Sequence, residues 1–250
     1  MEETLARVRQ ALAVARSIVV LPGAGISAES GIPTFRDAMT GLWSRYRPED
    51  LATPEAFLRD PRMVWDWYAW RRNRLSQVRP NPGHEALAAL ERACESRGAA
   101  YLLVTQNVDG LHAAAGTRRM VELHGNIRRV KCFDRGHAAS RWDEAVPGPP
   151  PCATCGSPLR PDVVWFGEML PAQALQSAMR AASRCEIFLS VGTSGLVEPA
   201  ASLPCAAPES GAKVIEVNPC PTFLAARAWA ALAGKAGEVL PRLLPLESAS

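Results

Sequence analysis

Long apolar runs are absent from this chain of 250 residues, and no stretch approaches the roughly 20 apolar residues that cross a bilayer. The first segment, Glu2–Arg16, mixes Glu and Arg with apolar residues at helical spacing, unlike the apolar core of a signal peptide. We therefore expect no membrane contact and a cytoplasmic location.

An excess of one charge and a disulfide framework are also missing. The formal net charge is only +3, which argues against a dedicated nucleic-acid binder, so we expect no direct nucleic-acid partner. The seven cysteines are odd in number and scattered, which favours a reducing compartment. With 48% hydrophobic and 21% charged residues, the chain has a globular composition and enough length for a large core.

Short apolar strands alternate with helical segments along the chain. The predicted strands are Ser17–Leu21, Ala100–Thr105, Val121–His124, Val163–Phe166, Glu186–Val191 and Lys213–Val217. The predicted helices are Glu2–Arg16, Arg62–Gln77, His84–Arg97 and Ala172–Ser183, and Pro33–Pro61 is predicted as a long loop with short helical pieces. This alternation predicts an α/β fold with a Rossmann-like, doubly wound parallel sheet.

A second, smaller module is predicted within this single domain. Between Lys131 and Arg160 the composition shifts to Cys, Pro, Gly and Arg, which indicates an inserted zinc-ribbon-like unit. The larger part is expected to contain residues 1–36, 82–127 and 161–250, and the smaller part residues 37–81, which are helical, and 128–160.

The run Gly23-Ala-Gly25-Ile-Ser-Ala28 follows the first strand and fits the pattern G-x-G-x-x-G/A. Glycine lets the backbone approach a pyrophosphate, and the helix that follows supplies free N–H groups. A plain structural turn is the alternative. A dehydrogenase would also carry an acidic residue after a second strand, about 20 positions on. Residues Thr40–Thr53 have no strand pattern, so dinucleotide binding is favoured and hydride transfer is disfavoured.

The longer run Gly23–Arg36 resembles the NAD-binding signature of the sirtuins, and the resemblance extends from Ile18 to Leu240. Further stretches match that family in order: Thr105–Asp109, Leu123–Gly125, Gly192–Ser194 and Val217–Asn218. The resemblance implies an enzyme that consumes NAD to remove acyl groups from protein lysines. The NAD-binding residues that it implies are Gly23, Ala24, Gly25, Glu29, Phe35, Arg36, Gln106, Asn107, Val108, Asp109, Gly192, Thr193, Ser194, Asn218 and Ala236.

The resemblance assigns the catalytic base to His124, with Asn107 and Asp109 positioning the reactants. A histidine with a pKa near ~6.5 is largely neutral at pH 7 and takes a proton from a ribose hydroxyl. The implied products are free lysine, nicotinamide and O-acyl-ADP-ribose. We interpret His84 and His112 as structural.

Tyr68 and Arg71 lie on one face of the aromatic helix and match the Tyr-x-x-Arg pattern of the class III sirtuin branch, which removes acidic acyl groups. An Arg fork pairs with a carboxylate, and a Tyr hydroxyl adds a donor. Succinyl and malonyl groups are therefore expected ahead of acetyl. Ala52 also belongs to that branch and leaves room for a larger group. An ordinary packed and solvated helix is the alternative.

The segment Val163–Glu168 resembles the one with which sirtuins pair an extended substrate peptide, through Val164, Phe166, Gly167 and Glu168. The expected partners are therefore acylated protein lysines. A plain buried strand is the alternative reading of this segment. The oligomeric state stays open, with a monomer as the expectation.

Cys152-Ala-Thr-Cys155 has the spacing of half a tetrahedral zinc site. In the family the other half is a second C-x-x-C, but here Cys132 is followed by Arg135 in the second position. His137 is the predicted fourth ligand of a structural zinc ion, with Asp134 a poorer candidate, and a module without metal is left open.

Two functions besides deacylation use the same features: ADP-ribosyl transfer at the same NAD site, and NAD sensing by a non-enzymatic zinc-ribbon regulator. The Tyr68–Arg71 pair favours deacylation, since a transferase has no evident use for a carboxylate clamp.

Overall fold

The computed structural model describes residues 2–32, 46–144, 146–209 and 211–244. Its centre is a parallel sheet of strands β1 Ser17–Pro22, β2 Ala100–Thr105, β3 Met120–Glu122, β7 Ile187–Val191, β8 Lys213–Asn218 and β9 Ala230–Ala233. The spatial order is β3-β2-β1-β7-β8-β9. This is the order of a doubly wound dinucleotide-binding sheet, so the predicted Rossmann-like fold is confirmed.

Helices cover the two faces of this sheet: α1 Glu2–Val14, α2 Ala24–Ala28, α6 Pro82–Ser96, α7 Leu111–Ala114, α8 Ala172–Ala182, α9 Leu203–Glu209 and α10 Ala236–Val239. Successive residues of a strand point to opposite faces, so Val20 belongs to one hydrophobic cluster and Leu21 to the other. Because both faces are buried, the strands are continuous apolar runs. None of the helices described is long and apolar enough to cross a membrane.

The smaller module combines helices α3 Pro48–Leu51, α4 Pro54–Arg59 and α5 Pro61–Ser76 with a second sheet of β4 Gly125–Cys132, β5 Ala138–Ala139 and β6 Leu159–Val163. The order of this antiparallel sheet is β5-β4-β6. The side chains of Thr53 and Asp60 cap α4 and α5 by accepting backbone N–H bonds. Trp67, Tyr68 and Trp165 lie in the core between these helices and the second sheet.

The structure contains elements that were not predicted: strands β4, β5 and β9 and helices α7, α9 and α10. The predicted strand Val163–Phe166 is not formed, since β6 ends at Val163. Beyond it the N–H of Val164 donates to the carbonyl of His124 and that of Phe166 to the carbonyl of Ala52. β9 was not predicted, because its sequence Ala-Ala-Leu-Ala carries little β propensity. The proposed division into a larger and a smaller part stays a prediction.

Strand β3, which leads to His124, is held in place by a buried carboxylate. Glu91 on α6 is 2% exposed and accepts the backbone N–H groups of Arg118 and Arg119 at 2.9 and 2.8 Å. Because both donors would lose their partner, Glu91→Ala is expected to lower the free energy of unfolding by about 2–4 kcal/mol. Urea denaturation measures it.

The matched control is Arg92→Ala, which removes the neighbouring exposed side chain and is expected to change stability by less than about 0.5 kcal/mol. Equal effects of the two substitutions would contradict the role of Glu91.

Candidate active site

Polar and glycine-rich segments follow the carboxyl ends of neighbouring strands of the large sheet. Gly23 comes after β1, Gln106 after β2 and Gly192 after β7, while Asn218 is the last residue of β8. Parallel strands bring these ends to one edge, and the strand order reverses between β1 and β7. Ligands of doubly wound sheets bind in the crevice at this reversal point.

The two glycine loops of the crevice pack backbone against backbone. The N–H of Gly25 donates to the carbonyl of Gly192 at 2.8 Å, and that of Gly23 to the carbonyl of Val191 at 2.9 Å. A Cβ atom on Gly25 would lie 2.6 Å from the Gly192 carbonyl oxygen, and Gly192 itself has φ +56°. These positions therefore have to be glycine for the two loops to pack together. This requirement is separate from any role of the glycines in phosphate binding. Ala24, between Gly23 and Gly25, is exposed at the start of α2.

A buried hydrogen-bond network lies directly below this loop. The amide of Asn107 donates to the Gly23 carbonyl at 3.1 Å and to Ser27 Oγ at 3.2 Å, and Ser27 Oγ donates to Asp109 Oδ2 at 2.8 Å. The other oxygen of Asp109 accepts from the N–H of Leu111 at 2.8 Å. Burial raises the pKa of Asp109, and these hydrogen bonds oppose the shift. The network fixes three of the predicted strand-end residues relative to one another.

Two histidines interpreted as structural lie against this network. His84 Nε2 is 3.4 Å from Ser27 Oγ, and the His84 and His112 rings are 4.8 Å apart. Burial lowers the pKa of His84 to about 4 and that of His112 to about 3, so both are neutral. Within the described part of the chain, neither ring nitrogen of His112 has a hydrogen-bond partner. Sequence reasoning missed Ser27 as a site residue, although it lies inside the glycine motif.

His124 follows β3 and is half-buried at the same edge. Its Nδ1 lies 3.1 Å from the carbonyl oxygen of Gln106. Since a carbonyl only accepts, Nδ1 carries the proton, which leaves the Nε2 lone pair free to take another. Burial lowers the pKa of His124, and the Gln106 hydrogen bond opposes the shift. The ring is therefore neutral and oriented as a base requires.

Thr193 joins two other predicted NAD-binding residues. Gln106 Nε2 donates to Thr193 Oγ1 at 3.0 Å, and Asn218 Nδ2 donates to the Thr193 carbonyl at 2.9 Å. Ser194 is half-buried beside them, and Ala236 is buried at the start of α10.

Glu29 is exposed, and its carboxylate accepts the N–H of Gly237 on α10 at 2.8 Å. Val108 is half-buried and packs against the core of the smaller module. The predicted NAD residues Phe35 and Arg36 lie outside the described residues.

The predicted acyl-binding pair lies on α5, facing this site. Tyr68 is only 2% exposed and accepts a hydrogen bond from Trp165 Nε1 at 3.0 Å, whereas Arg71 is half-buried. The Arg71 guanidinium lies 4.9 Å from the centre of the Trp67 ring and 5.4 Å from that of the Tyr68 ring. Burial lowers the pKa of Arg71, and nearby Tyr68 and Asp109 oppose the shift. Arg71 is therefore the more accessible member of the pair.

The predicted peptide-binding segment lies between His124 and the acyl-binding pair. Val164 is half-buried, Phe166 is 44% exposed and Gly167 has φ +85°. The Glu168 carboxylate is already engaged, since it accepts from Arg160 Nη2 at 2.9 Å and from the N–H of Trp165 at 2.8 Å. Glu168 therefore shapes this segment. Ala52, also in the pocket prediction, is buried, and its carbonyl accepts the N–H of Phe166.

Three cysteines and one histidine of the smaller module form a group whose possible ligand atoms all lie within 4.8 Å of one another: Cys132, His137, Cys152 and Cys155. Cys155 Sγ is 3.8 Å from Cys132 Sγ. Two thiolates about 2.3 Å from a tetrahedral zinc ion lie roughly 3.8 Å apart, so this donor set fits zinc. A hydrogen bond from the backbone N–H of Thr154 lowers the pKa of Cys152, and the His137 side chain lowers it further. Both favour the thiolate form, which is the form that binds metal. His137, and not Asp134, belongs to the group.

Comparison with known proteins agrees with this geometry. The Sir2 family model matches residues 23–199. An "NAD-dependent protein deacylase" of Thermus thermophilus is 53% identical over 97% of this chain and 95% of its own length. The chain belongs to the Sir2 family, and the resemblance to sirtuins inferred from the motifs is confirmed.

Two solved structures are similar over nearly the whole chain. A Sir2 homolog in complex with NAD has a TM-score of 0.87 and 47% identity, covering 95% of this chain and 91% of that one. Sir2Af2 bound to a myristoylated histone peptide has a TM-score of 0.75 and 36% identity, covering 97% of this chain and 95% of that one.

The metal group predicts about one zinc ion per chain, measured as metal content by mass spectrometry after purification. His137→Ala removes one of four ligands and is expected to lower both zinc content and the melting temperature. Asp134→Ala, the matched control, should retain zinc. Loss of zinc in the Asp134 variant with retention in the His137 variant would contradict the assignment.

Proposed function

We propose that this sirtuin is an NAD-dependent protein-lysine deacylase that prefers acyl groups ending in a carboxylate, such as succinyl or malonyl, over acetyl. The observation that carries the preference is Arg71, a half-buried cation at the active site. Its substrates are acylated lysines of extended protein segments, which react with NAD and one water molecule, and the products are free lysine, nicotinamide and O-acyl-ADP-ribose.

The donor set of the crevice fits NAD. Thr193 and Asn218 offer hydroxyl and amide groups for the adenosine half. Gln106 and the Ser27–Asn107–Asp109 network offer donors and acceptors for the ribose and nicotinamide. When bound, NAD supplies an electrophilic ribose carbon and a good leaving group in nicotinamide. The protein residues supply positioning.

His124 acts as the general base. Its Nδ1–H is held by the Gln106 carbonyl, so the free Nε2 accepts the proton of a ribose hydroxyl that then attacks the acyl carbon. Because burial lowers the pKa of His124, the residue stays in its basic form below neutral pH.

Arg71 supports the acidic-acyl preference because it lacks a carboxylate partner. Its neighbour Arg72 pairs with Glu144, and Arg160 pairs with Glu168, but no ion pair within the described parts of the chain includes Arg71. A half-buried cation that forms no ion pair is incompletely compensated, and a substrate carboxylate that pairs with it gains a charge-assisted bond. Acetyl has no group to make this bond.

The peptide segment supports protein substrates. After β6, the backbone from Val164 to Glu168 leaves the sheet beside His124, and its side chains Val164 and Phe166 are accessible. A substrate peptide that adds to this backbone is recognised mainly through main-chain hydrogen bonds, so weak sequence preference follows. The cytoplasmic location expected from the sequence stays a prediction.

The acyl preference is tested with matched succinyl-lysine and acetyl-lysine peptides, followed by mass spectrometry in the presence of NAD. Arg71→Met keeps the stem of the side chain and removes its charge. It is expected to lower kcat/KM for the succinyl peptide by about 10–100-fold, since a charge-assisted bond is lost. The acetyl peptide should be affected far less.

The control for this test is Arg74→Met, on the same helix but exposed, with its guanidinium 5.3 Å from the Trp70 ring. It should leave the succinyl-to-acetyl ratio unchanged. Faster removal of acetyl than succinyl by the wild type, with no dependence on Arg71, would discard the acidic-acyl preference while leaving deacylation in place.

The role of His124 predicts a pH dependence. Activity requires the neutral ring, so kcat/KM rises with pH through the pKa of His124, and burial places this midpoint below ~6.5. His124→Ala is expected to lower kcat/KM by about 10²–10⁴-fold at pH 7.5. A midpoint above 7, or near-normal activity of the variant, would contradict the assignment.

A further inference from the structure

The indole of Trp165 connects the peptide-binding segment to the acyl-binding pair. Its ring is 2% exposed and lies at a centroid distance of 6.4 Å from the Tyr68 ring. Its Nε1–H donates to Tyr68 Oη at 3.0 Å, across 97 positions of sequence. This bond is the only one that Trp165 makes through its side-chain nitrogen, because an indole has a single donor and no acceptor.

The Tyr68 hydroxyl has one proton to donate and two lone pairs that accept. The indole N–H of Trp165 takes one lone pair, and the guanidinium of Arg71 lies nearby, 5.4 Å from the centre of the Tyr68 ring. Both neighbours are donors only, so neither accepts the hydroxyl proton. Burial raises the pKa of Tyr68, so the proton stays on the oxygen. The proton therefore points away from Trp165 and Arg71, toward whatever acceptor the pocket receives.

We propose that Trp165 is a positioning residue for acyl-chain selection: its indole N–H orients the Tyr68 hydroxyl so that Tyr68 and Arg71 together donate to the terminal carboxylate of the substrate. This inference rests on the proposed acidic-acyl preference. Without the Trp165 bond the hydroxyl loses the hydrogen bond that sets its direction, and part of the preorganised donor pair is lost.

A second pair of residues holds Trp165 in this orientation. The Arg160 guanidinium lies 3.4 Å from the centre of the indole ring, and Arg160 itself is only 3% exposed. Arg160 Nη2 donates to Glu168 Oε2 at 2.9 Å and to the Val163 carbonyl at 2.8 Å. Glu168 in turn accepts the backbone N–H of Trp165 at 2.8 Å. Both the ring and the backbone of Trp165 are therefore fixed by the segment that is expected to bind the peptide.

This arrangement gives the pairing of buried Arg160 with half-buried Glu168 a function. An ion pair of this kind costs desolvation and is seldom retained for stability alone. Here it holds a single indole nitrogen at hydrogen-bond distance from the acyl pocket. Peptide recognition and acyl recognition thus share one set of contacts, through Glu168, Trp165 and Tyr68.

The test is Trp165→Phe, which keeps an aromatic ring beneath Arg160 and removes the N–H. The full-length protein is assayed with succinyl-lysine and acetyl-lysine peptides at saturating NAD, and the ratio of the two kcat/KM values is measured. We expect this ratio to fall by about 3–10-fold, the loss of one hydrogen bond to an acceptor that is then free to rotate. Thermal melting measures any effect on folding.

Trp65→Phe is the matched control. Trp65 is fully buried on the same helix as Tyr68, and its indole nitrogen has no hydrogen-bond partner among the described residues. Its replacement reports the effect of a smaller buried aromatic ring without loss of a bond. The ratio should not change in this variant. A structural role of Trp165 would lower both kcat/KM values together and leave their ratio constant.

A double-mutant cycle with Tyr68→Phe makes the assignment specific. Once the Tyr68 hydroxyl is removed, Trp165→Phe should have no further effect on the ratio. An unchanged ratio in the single Trp165 variant, or an equal drop in the Tyr68→Phe background, overturns the proposal. If the wild type shows no succinyl preference, the proposed function fails as well. A wild-type preference that depends on Arg71 and Tyr68 but not on Trp165 overturns this inference alone.

Discussion

The backbone N–H of Gly25 donates to the carbonyl of Gly192 across 2.8 Å, joining the loops that follow β1 and β7. Neither position has room for a side chain, since each Cβ would approach the opposite backbone within 3 Å. This close contact of the two loops positions the start of α2 at the crevice. Ser27 on α2 can then form hydrogen bonds with Asn107 and Asp109, which follow β2. Asn107 binds both the Gly23 carbonyl and Ser27, so the catalytic half of the site depends on the closure of these two loops.

The remaining half comes from the smaller module. Helix α5 supplies Arg71, and the turn after β6 supplies Trp165 and Glu168, while Val164 is tied to His124 by a backbone hydrogen bond. A metal bound by Cys132, His137, Cys152 and Cys155 would hold the ends of β4 and β6 together. It would thereby stabilise the segment after β6 that carries Trp165 and Glu168. Under the proposed function, the large sheet provides the cofactor residues and the base, and the smaller module selects the acyl group.

Much of the fold and the strand-end residues could be predicted, because buried strands are continuous apolar runs and Gly23–Ala28 follows the first of them directly. His137 could be predicted as a ligand from its spacing to Cys132. Contacts between distant segments could not be predicted. Glu29 binds Gly237 across 208 positions, and Ser27 meets Asp109 across 82, which no local pattern encodes. β9 lacked a signal, since its alanines favour no strand.

The central claim is that acyl groups leave lysine and end on ADP-ribose. The direct measurement is a mass balance of nicotinamide, free-lysine peptide and acyl-ADP-ribose after incubation of a succinyl-lysine peptide with NAD and the protein. Our account predicts equal molar amounts of the three products and none of them with His124→Ala. Nicotinamide release with the acyl-lysine intact and ADP-ribose attached to peptide or protein would contradict it and identify an ADP-ribosyltransferase.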